Sequence, residues 1–139
     1  MYYVGEVKLK AQKLVETTYE AMMRGIEKVK PGNTTGDIGY AIQSYAESCG
    51  YGVVRELVGH GIGSKLHEEP QVPNFGIKGV GHKIENGLCL AIEPMINLGS
   101  HKVFTKSDSW TVCTEDGLPS AHFEHSVAIF DNKIKVLTA

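Results

Sequence analysis

Arginine is scarce in this chain: Arg24 and Arg55 are the only two. The formal net charge is −2 and no basic tract stands out, so nothing in the sequence offers the electrostatic footprint of a nucleic-acid binder. Cysteine is also sparse. Cys49, Cys89 and Cys113 are odd in number and contain no CxxC pair, which argues against a disulfide framework and against a thiolate zinc site. They are read as reduced, small, mostly buried side chains. No apolar run approaches the roughly 18 residues of a membrane span. The opening MYYVGEVKLKAQ lacks the basic-then-apolar order of a signal peptide, so the expected location is cytoplasmic, with no membrane partner. Repeats, linkers and low-complexity segments are missing too.

What is present suits a single domain over residues 1–139: hydrophobic residues make up 42% and charged residues 22%. Val7, Leu14, Val15, Thr18, Met22, Ile26 and Val29 recur at three- and four-residue steps and predict a helix from Val7 to Val29, ended by Pro31-Gly32. Asn33 or Thr34 can cap a second helix, and Thr34 with Asp37 has the spacing of a capping box. That helix carries Ile38, Ala41, Ile42, Tyr45 and Ala46, and Gly50 stops it. From Tyr51 the period changes. YGVVREL, LCLAIEPMI, KVFTK, WTVCTE, AHFEHSVAIF and KIKVLT read as strands, with turns at Glu85-Asn86-Gly87 and Glu115-Asp116-Gly117. Helices first and strands after predict an α+β fold, a helical hairpin packed on a mostly antiparallel sheet.

Alternation along the strands then singles out two carboxylates. In LCLAIEPM, Leu88, Leu90 and Ile92 share the face expected under the helices, while Cys89, Ala91 and Glu93 share the other. In AHFEHSVAIF, His122, Glu124, Ser126 and Ala128 share a face. Each strand therefore presents a glutamate among small residues. A buried carboxylate needs an arginine, a proton or a metal. Arg55 is one candidate partner. Two inward carboxylates and a histidine suit a hard-to-borderline divalent cation better. An isolated strand histidine is ordinarily structural or on the surface, and His82, His101 and His122 are read that way. Glu68 and Glu69 are adjacent in extended chain, point oppositely and form no clamp. HEEPQ is not the HExxH zinc helix, because no second histidine follows and Pro70 disfavours helix.

The motifs GHGIG, HEEPQVPNF, GLCLAIEPMINLG, DSWTVCTEDGLPSAHFEHSVAI and VKPGNTTGDIGYAIQ, in this order and across essentially the whole chain, resemble the type I methionine aminopeptidases. Neither the His60–Glu93 interval nor the Glu93–Glu124 interval holds the long insertion of the type II enzymes. The resemblance implies a pita-bread fold, a dinuclear metal centre and removal of the initiator methionine from new polypeptides. It implies metal ligation by His60, Glu93 and Glu124, with Glu124 shared between two ions and Glu93 also a catalytic base. It makes His67 a catalytic residue that contacts substrate, and places Leu66 and Trp110 on the methionine side-chain pocket. Leu66 departs from the family's common phenylalanine. The glycines around His60 are expected to let backbone pass closely and keep side chains out of the cavity, and Glu68, Glu69 and Pro70 to shape a turn leading away.

The family's other two ligands are aspartates on a hairpin that precedes the first helix. Asp37, Asp108, Asp116 and Asp131 are the aspartates of this chain, and none matches them. The sequence is therefore expected to be the C-terminal part of the family's catalytic domain. Its metal site should be mononuclear or weak, and its activity alone weak or absent. The divalent ion is cobalt, manganese, iron or zinc, all of which suit nitrogen–oxygen ligation. The expected partners are a peptide or nascent chain beginning with Met, and a second copy or a complementing N-terminal fragment along exposed sheet edges. The competing readings are a non-catalytic pita-bread binding domain and a proline-specific pita-bread peptidase.

Overall fold

A computed structural model describes residues 1–138. Two helices lead, α1 (Leu9–Ile26) and α2 (Thr35–Ser48). Ten short strands follow: β1 (Gly52–Val53), β2 (Gly59–Gly61), β3 (Glu68–Val72), β4 (Cys89–Ile92), β5 (Met95–Asn97), β6 (Val103–Thr105), β7 (Val112–Thr114), β8 (Ser120–His122), β9 (His125–Phe130) and β10 (Lys133–Val136). α1 is shorter than the apolar stripe predicts. It ends at Ile26, although Val29 beyond it is still fully buried. α2 begins as expected: the Thr34 N–H and hydroxyl both donate to Asp37 Oδ2 at 2.8 Å. Gly50, at φ +84°, follows its end. The helices cross where Gly25 meets Ile42, and an added Cβ there would come within 2.7 Å of Ile42 Cδ1.

All the named ladders are antiparallel. They form a five-stranded sheet in the order β10-β9-β4-β2-β3, a three-stranded sheet β1-β5-β8 and the hairpin β6-β7. Leu90, Ile92, Val127 and Ile129 of the larger sheet join Leu14, Met22, Ile38 and Ile42 of the helices in one core. This matches the helices-on-sheet arrangement, and the sheets are not closed into a barrel.

Several expectations are corrected. YGVVREL yields only the two residues of β1. The segment Glu68–Pro70 is not a turn but the start of β3, paired to β2 with Gly61 opposite Glu68 and Gly59 opposite Val72. Glycines and a proline hide both strands from a propensity reading, because they are depleted in ordinary strands. A Cβ on Gly59 would strike the Ala91 carbonyl oxygen and one on Gly61 the Glu69 carbonyl oxygen, so glycine here serves close backbone approach at an irregular register. The cysteines are not buried: Cys49 is exposed, and Cys89 and Cys113 are half-buried.

The largest correction concerns the glutamate strands. LCLAIEPMI and AHFEHSVAIF are each two strands, interrupted at Glu93-Pro94 and Phe123-Glu124. Pro94 has no N–H to give a ladder, and the chain changes sheet at this point: β4 and β9 belong to the larger sheet, β5 and β8 to the smaller. The register nevertheless runs through. Ile92 faces His125 on one side of the break and Met95 faces His122 on the other. Counting inward from either pair sets Glu93 opposite Glu124.

Candidate metal centre

Strand pairing decides which side chains share the face away from the helices. His60 on β2 pairs with Ala91, and Ala91 pairs with Ser126. Ala91 and Glu93 alternate onto one face, as do Ser126, Glu124 and His122. Two glutamates and two histidines are thereby brought to one side of the corner between the sheets. Glu93 stands between the histidines. His60 Nε2 lies 3.4 Å from Glu93 Oε1, and His122 Nε2 lies 3.6 Å from Glu93 Oε2. The side chains of His60 and Glu93 are only 13% and 16% exposed. Atoms of Glu93, His122 and Glu124 lie within 4.8 Å of one another. Among the described residues no other such set of three donors forms, and His60 is outside it.

Like charges directly opposite on paired strands are destabilising, so this arrangement calls for a positive partner. Arg55, the partner considered from sequence, goes elsewhere: its guanidinium lies 3.9 Å from Glu47 and above the Phe75 ring. Arg24 is held by Glu20 at 2.7 Å. The histidine geometry favours a cation over a shared proton. His60 Nδ1 lies 2.8 Å from the Gly61 carbonyl oxygen, which can only accept, so Nδ1 carries a hydrogen and leaves Nε2 as the ring atom that faces Glu93 and is available to a cation. Separations of 3.4 and 3.6 Å are long for hydrogen bonds. They suit two ligands of one tetrahedral ion, whose N and O atoms stand about 3.4 Å apart when each bond is about 2.1 Å. The donor set therefore fits a divalent cation.

Asn74, from the loop after β3, was not singled out from sequence. It is 1% exposed and donates Nδ2 to the Glu93 carbonyl oxygen at 3.3 Å, while its Oδ1 has no partner. That carbonyl sits at the ladder break, so Asn74 anchors the backbone that carries the carboxylate. His122, read as structural or on the surface, is exposed and comes within 3.6 Å of Glu93. Its two-residue step to Glu124 was the available signal for that nearness.

The substrate-side residues are differently placed. The His67 ring lies over His60, centroids 4.2 Å apart and tilted by 54°. The loop that delivers it is tied by Glu68, whose Oε1 accepts from Ser64 Oγ at 2.8 Å and Lys65 N at 2.7 Å. The Ser64 hydroxyl, then the Lys65 N–H, hold the Glu68 carboxyl below its ordinary range. Leu66 is 69% exposed and Trp110 is 87% exposed, so neither is enclosed. Asp108 braces the Trp110 turn, accepting from the Trp110 and Thr111 N–H groups and from the Thr111 hydroxyl, which chiefly lowers its pKa. A surface depression of about 770 Å³ lies away from this chemistry, between Glu20, Arg24, Asp37 and Tyr45 of the helices.

Comparison with known proteins agrees with this geometry. Residues 1–131 match the model of metallopeptidase family M24. The chain is 50% identical over 137 residues to a methionine aminopeptidase of Clostridium acetobutylicum, covering 99% of this chain and 55% of that protein. It superposes on the crystal structure of methionine aminopeptidase from Rickettsia prowazekii with a TM-score of 0.96 and 47% identity, covering 99% of this chain and 56% of that one. Prolidase from Pyrococcus furiosus is more distant, with a TM-score of 0.75 and 25% identity over 99% of this chain and 35% of that one. The chain thus spans about half the length of the curated relatives it matches.

Proposed function

The chain belongs to metallopeptidase family M24, and on that premise we propose that it carries out, or forms part of the site for, metal-dependent removal of an N-terminal methionine from polypeptides. The observation that carries this reading is the in-register opposition of Glu93 and Glu124 at the ladder break, with His60 against Glu93. His60, Glu93 and Glu124 would hold the cation. A bound divalent ion would supply Lewis acidity toward the scissile carbonyl and lower the pKa of a water. Glu93 would serve as the proton acceptor for the attacking water. His67, beside His60 on the solvent side, donates a hydrogen bond to the substrate. Leu66 and Trp110 supply apolar surface for the methionine side chain.

Manganese, cobalt, iron and zinc all suit the donor set, and cellular availability selects among them. We read residues 1–139 as part of one catalytic pita-bread domain, acting in the cytoplasm on nascent chains. With three protein donors at one ion, turnover by these residues alone is slow. β3 and β10 edge the larger sheet among the described residues, and β1 and β8 the smaller. Such edges pair with a second copy or a complementing fragment. Light scattering of the purified chain checks this, and a monodisperse monomer would count against it. A purely binding module gives no reason for two facing carboxylates, and the identity to methionine aminopeptidases is about twice that to the prolidase.

The test is methionine release from a Met-Ala-Ser peptide with manganese or cobalt, beside an Xaa-Pro peptide and the His67→Ala variant. Slow, metal-dependent release from the Met peptide, lost in the variant, is expected. Preference for the Xaa-Pro peptide, or release indifferent to His67→Ala, would overturn the reading.

A further inference from the structure

Glycine weakens a helix by up to about 1 kcal/mol against alanine, yet α2 carries Gly36 and Gly39, both buried. A Cβ on Gly36 would strike the Ile77 and Val80 carbonyl oxygens, and one on Gly39 the Phe75 carbonyl oxygen. The two glycines therefore seat the 73–81 loop directly on the helix. Hydrogen bonds fix it there. The Gly36 N–H donates to the Val80 carbonyl oxygen at 2.9 Å, the Gly76 N–H to Gln43 Oε1 at 3.2 Å and the Gly79 N–H to Asp37 Oδ1 at 3.2 Å. A loop held this firmly still leaves Ile77 70% and Val80 57% exposed. With Pro73 and Phe75 they line a groove of about 390 Å³ that Arg55 also borders. That volume lies within the range of small-ligand sites, roughly 300–1,000 Å³. Asn74, between Pro73 and Phe75, turns to the Glu93 carbonyl oxygen, so the groove is separate from the metal centre.

The polar side chains around this groove are engaged, with one exception. Gln43 Nε2 donates to Glu47 Oε1 at 2.9 Å, and Thr35 Oγ1 accepts from the His82 N–H at 3.2 Å. The Glu56 carboxylate accepts the Arg55 N–H at 3.1 Å. The Arg55 guanidinium is the exception. Among the described residues its ion pair is with Glu47 at 3.9 Å, longer than the roughly 2.7–2.9 Å of a charge-assisted hydrogen bond. It lies 5.6 Å from the centre of the Phe75 ring. An occupant rich in hydroxyls or amides finds few partners here, whereas a large apolar side chain beside one carboxylate matches both features on offer. We propose that the groove binds the C-terminus of a peptide ending in a large apolar residue, with that side chain against Phe75, Ile77 and Val80 and the terminal carboxylate on the Arg55 fork. A C-terminal residue carries both groups on one Cα, which suits the short span from Phe75 to Arg55. This assignment does not rest on the metallopeptidase reading.

The experiment is fluorescence anisotropy of an Ala-Ala-Leu-Phe peptide labelled with fluorescein at its N-terminus, titrated with the purified chain in EDTA. The blocked amine and the chelator keep the metal centre out of the readout. Saturable binding with a Kd below about 1 mM is expected. Amidating the peptide C-terminus should weaken it at least about tenfold, and Arg55→Gln should do the same. Arg55→Lys should restore only part of the loss, because lysine lacks the planar fork. Val80→Ser should also weaken binding about tenfold by removing apolar wall. Both residues are exposed, so each variant should melt like the native chain, which excludes misfolding as the cause. In an NMR titration the Gly76, Gly79 and Gly81 amides should move while those of His60 and Glu93 stay in place. No saturable binding, equal affinity for the acid and the amide, or shifts centred on His60 and Glu93 would overturn the assignment and leave the metallopeptidase reading standing. Concentration-dependent shifts of the loop amides without peptide, abolished by Arg55→Gln, would overturn it in favour of a second copy of the chain.

Discussion

The corner where the two sheets part and the rim that surrounds it are built on different principles. At the corner, Glu93 and His60 are mostly withdrawn from water, braced by a fully buried Asn74 and by glycines that admit no side chain. At the rim, Leu66 and Trp110 stand in solvent and His67 rides on a loop tied by the half-buried Glu68 carboxylate. The corner is determined by backbone pairing and the rim by local turns. Packing thus holds the charged groups in place, while the apolar side chains of Leu66 and Trp110 are left exposed.

Four changes probe this contrast. Gly59→Ala should have the largest effect, because its Cβ would meet the Ala91 carbonyl oxygen across the β2–β4 ladder. A loss of about 3 kcal/mol in urea unfolding is expected, and a loss under 0.5 kcal/mol would show the corner to be more pliant than described. Asn74→Ala strips the donor from the Glu93 carbonyl. It should cost about 2 kcal/mol and weaken Co²⁺ binding, whereas a purely stabilising Asn74 would leave metal affinity unchanged. Trp110→Ala should alter stability by less than about 0.5 kcal/mol while raising KM for a Met peptide with kcat little changed. A large drop in Tm would place Trp110 in the core instead of on the rim.

The smallest effect is a pH response at Glu68. Its folded pKa is lowered from 4.5, so the charged form is favoured by folding. The Ser64 and Lys65 bonds should be intact above the ordinary glutamate range and lost as pH falls through the folded pKa, below 4.5. The Lys65 amide shift in an NMR titration reads this directly. Movement centred above 4.5 would reverse the assignment.

Much of this was legible in the residues themselves. The Thr34–Asp37 cap, the Gly50 stop and the Leu90/Ile92 face follow from local chemistry, which a sequence carries openly. The split strands were not legible. LCLAIEPMI and AHFEHSVAIF keep one alternation across the break, and only the pairing partners reveal that the chain changes sheet at Pro94. The nearness of His122 to Glu93 failed to appear for the same reason, since it depends on register. GHGIG was legible as a special backbone but not as a strand, because glycine erases the side-chain period that identifies one. Arg55, one candidate partner, could not be placed from sequence because a long side chain's direction is set by its surroundings, here Glu47 and Phe75.

The central claim is that Glu93 and Glu124 oppose each other in order to bind a cation. It is tested most directly by melting the native chain and Glu124→Gln twice, once in EDTA and once with excess Mn²⁺. Without metal, the substitution removes a like-charge repulsion and the variant should melt higher than the native chain. With metal, the native chain gains binding free energy, about 2.7 kcal/mol at a hundredfold excess over Kd, and the variant gains less, so the order should reverse. The same order in both conditions would contradict the account.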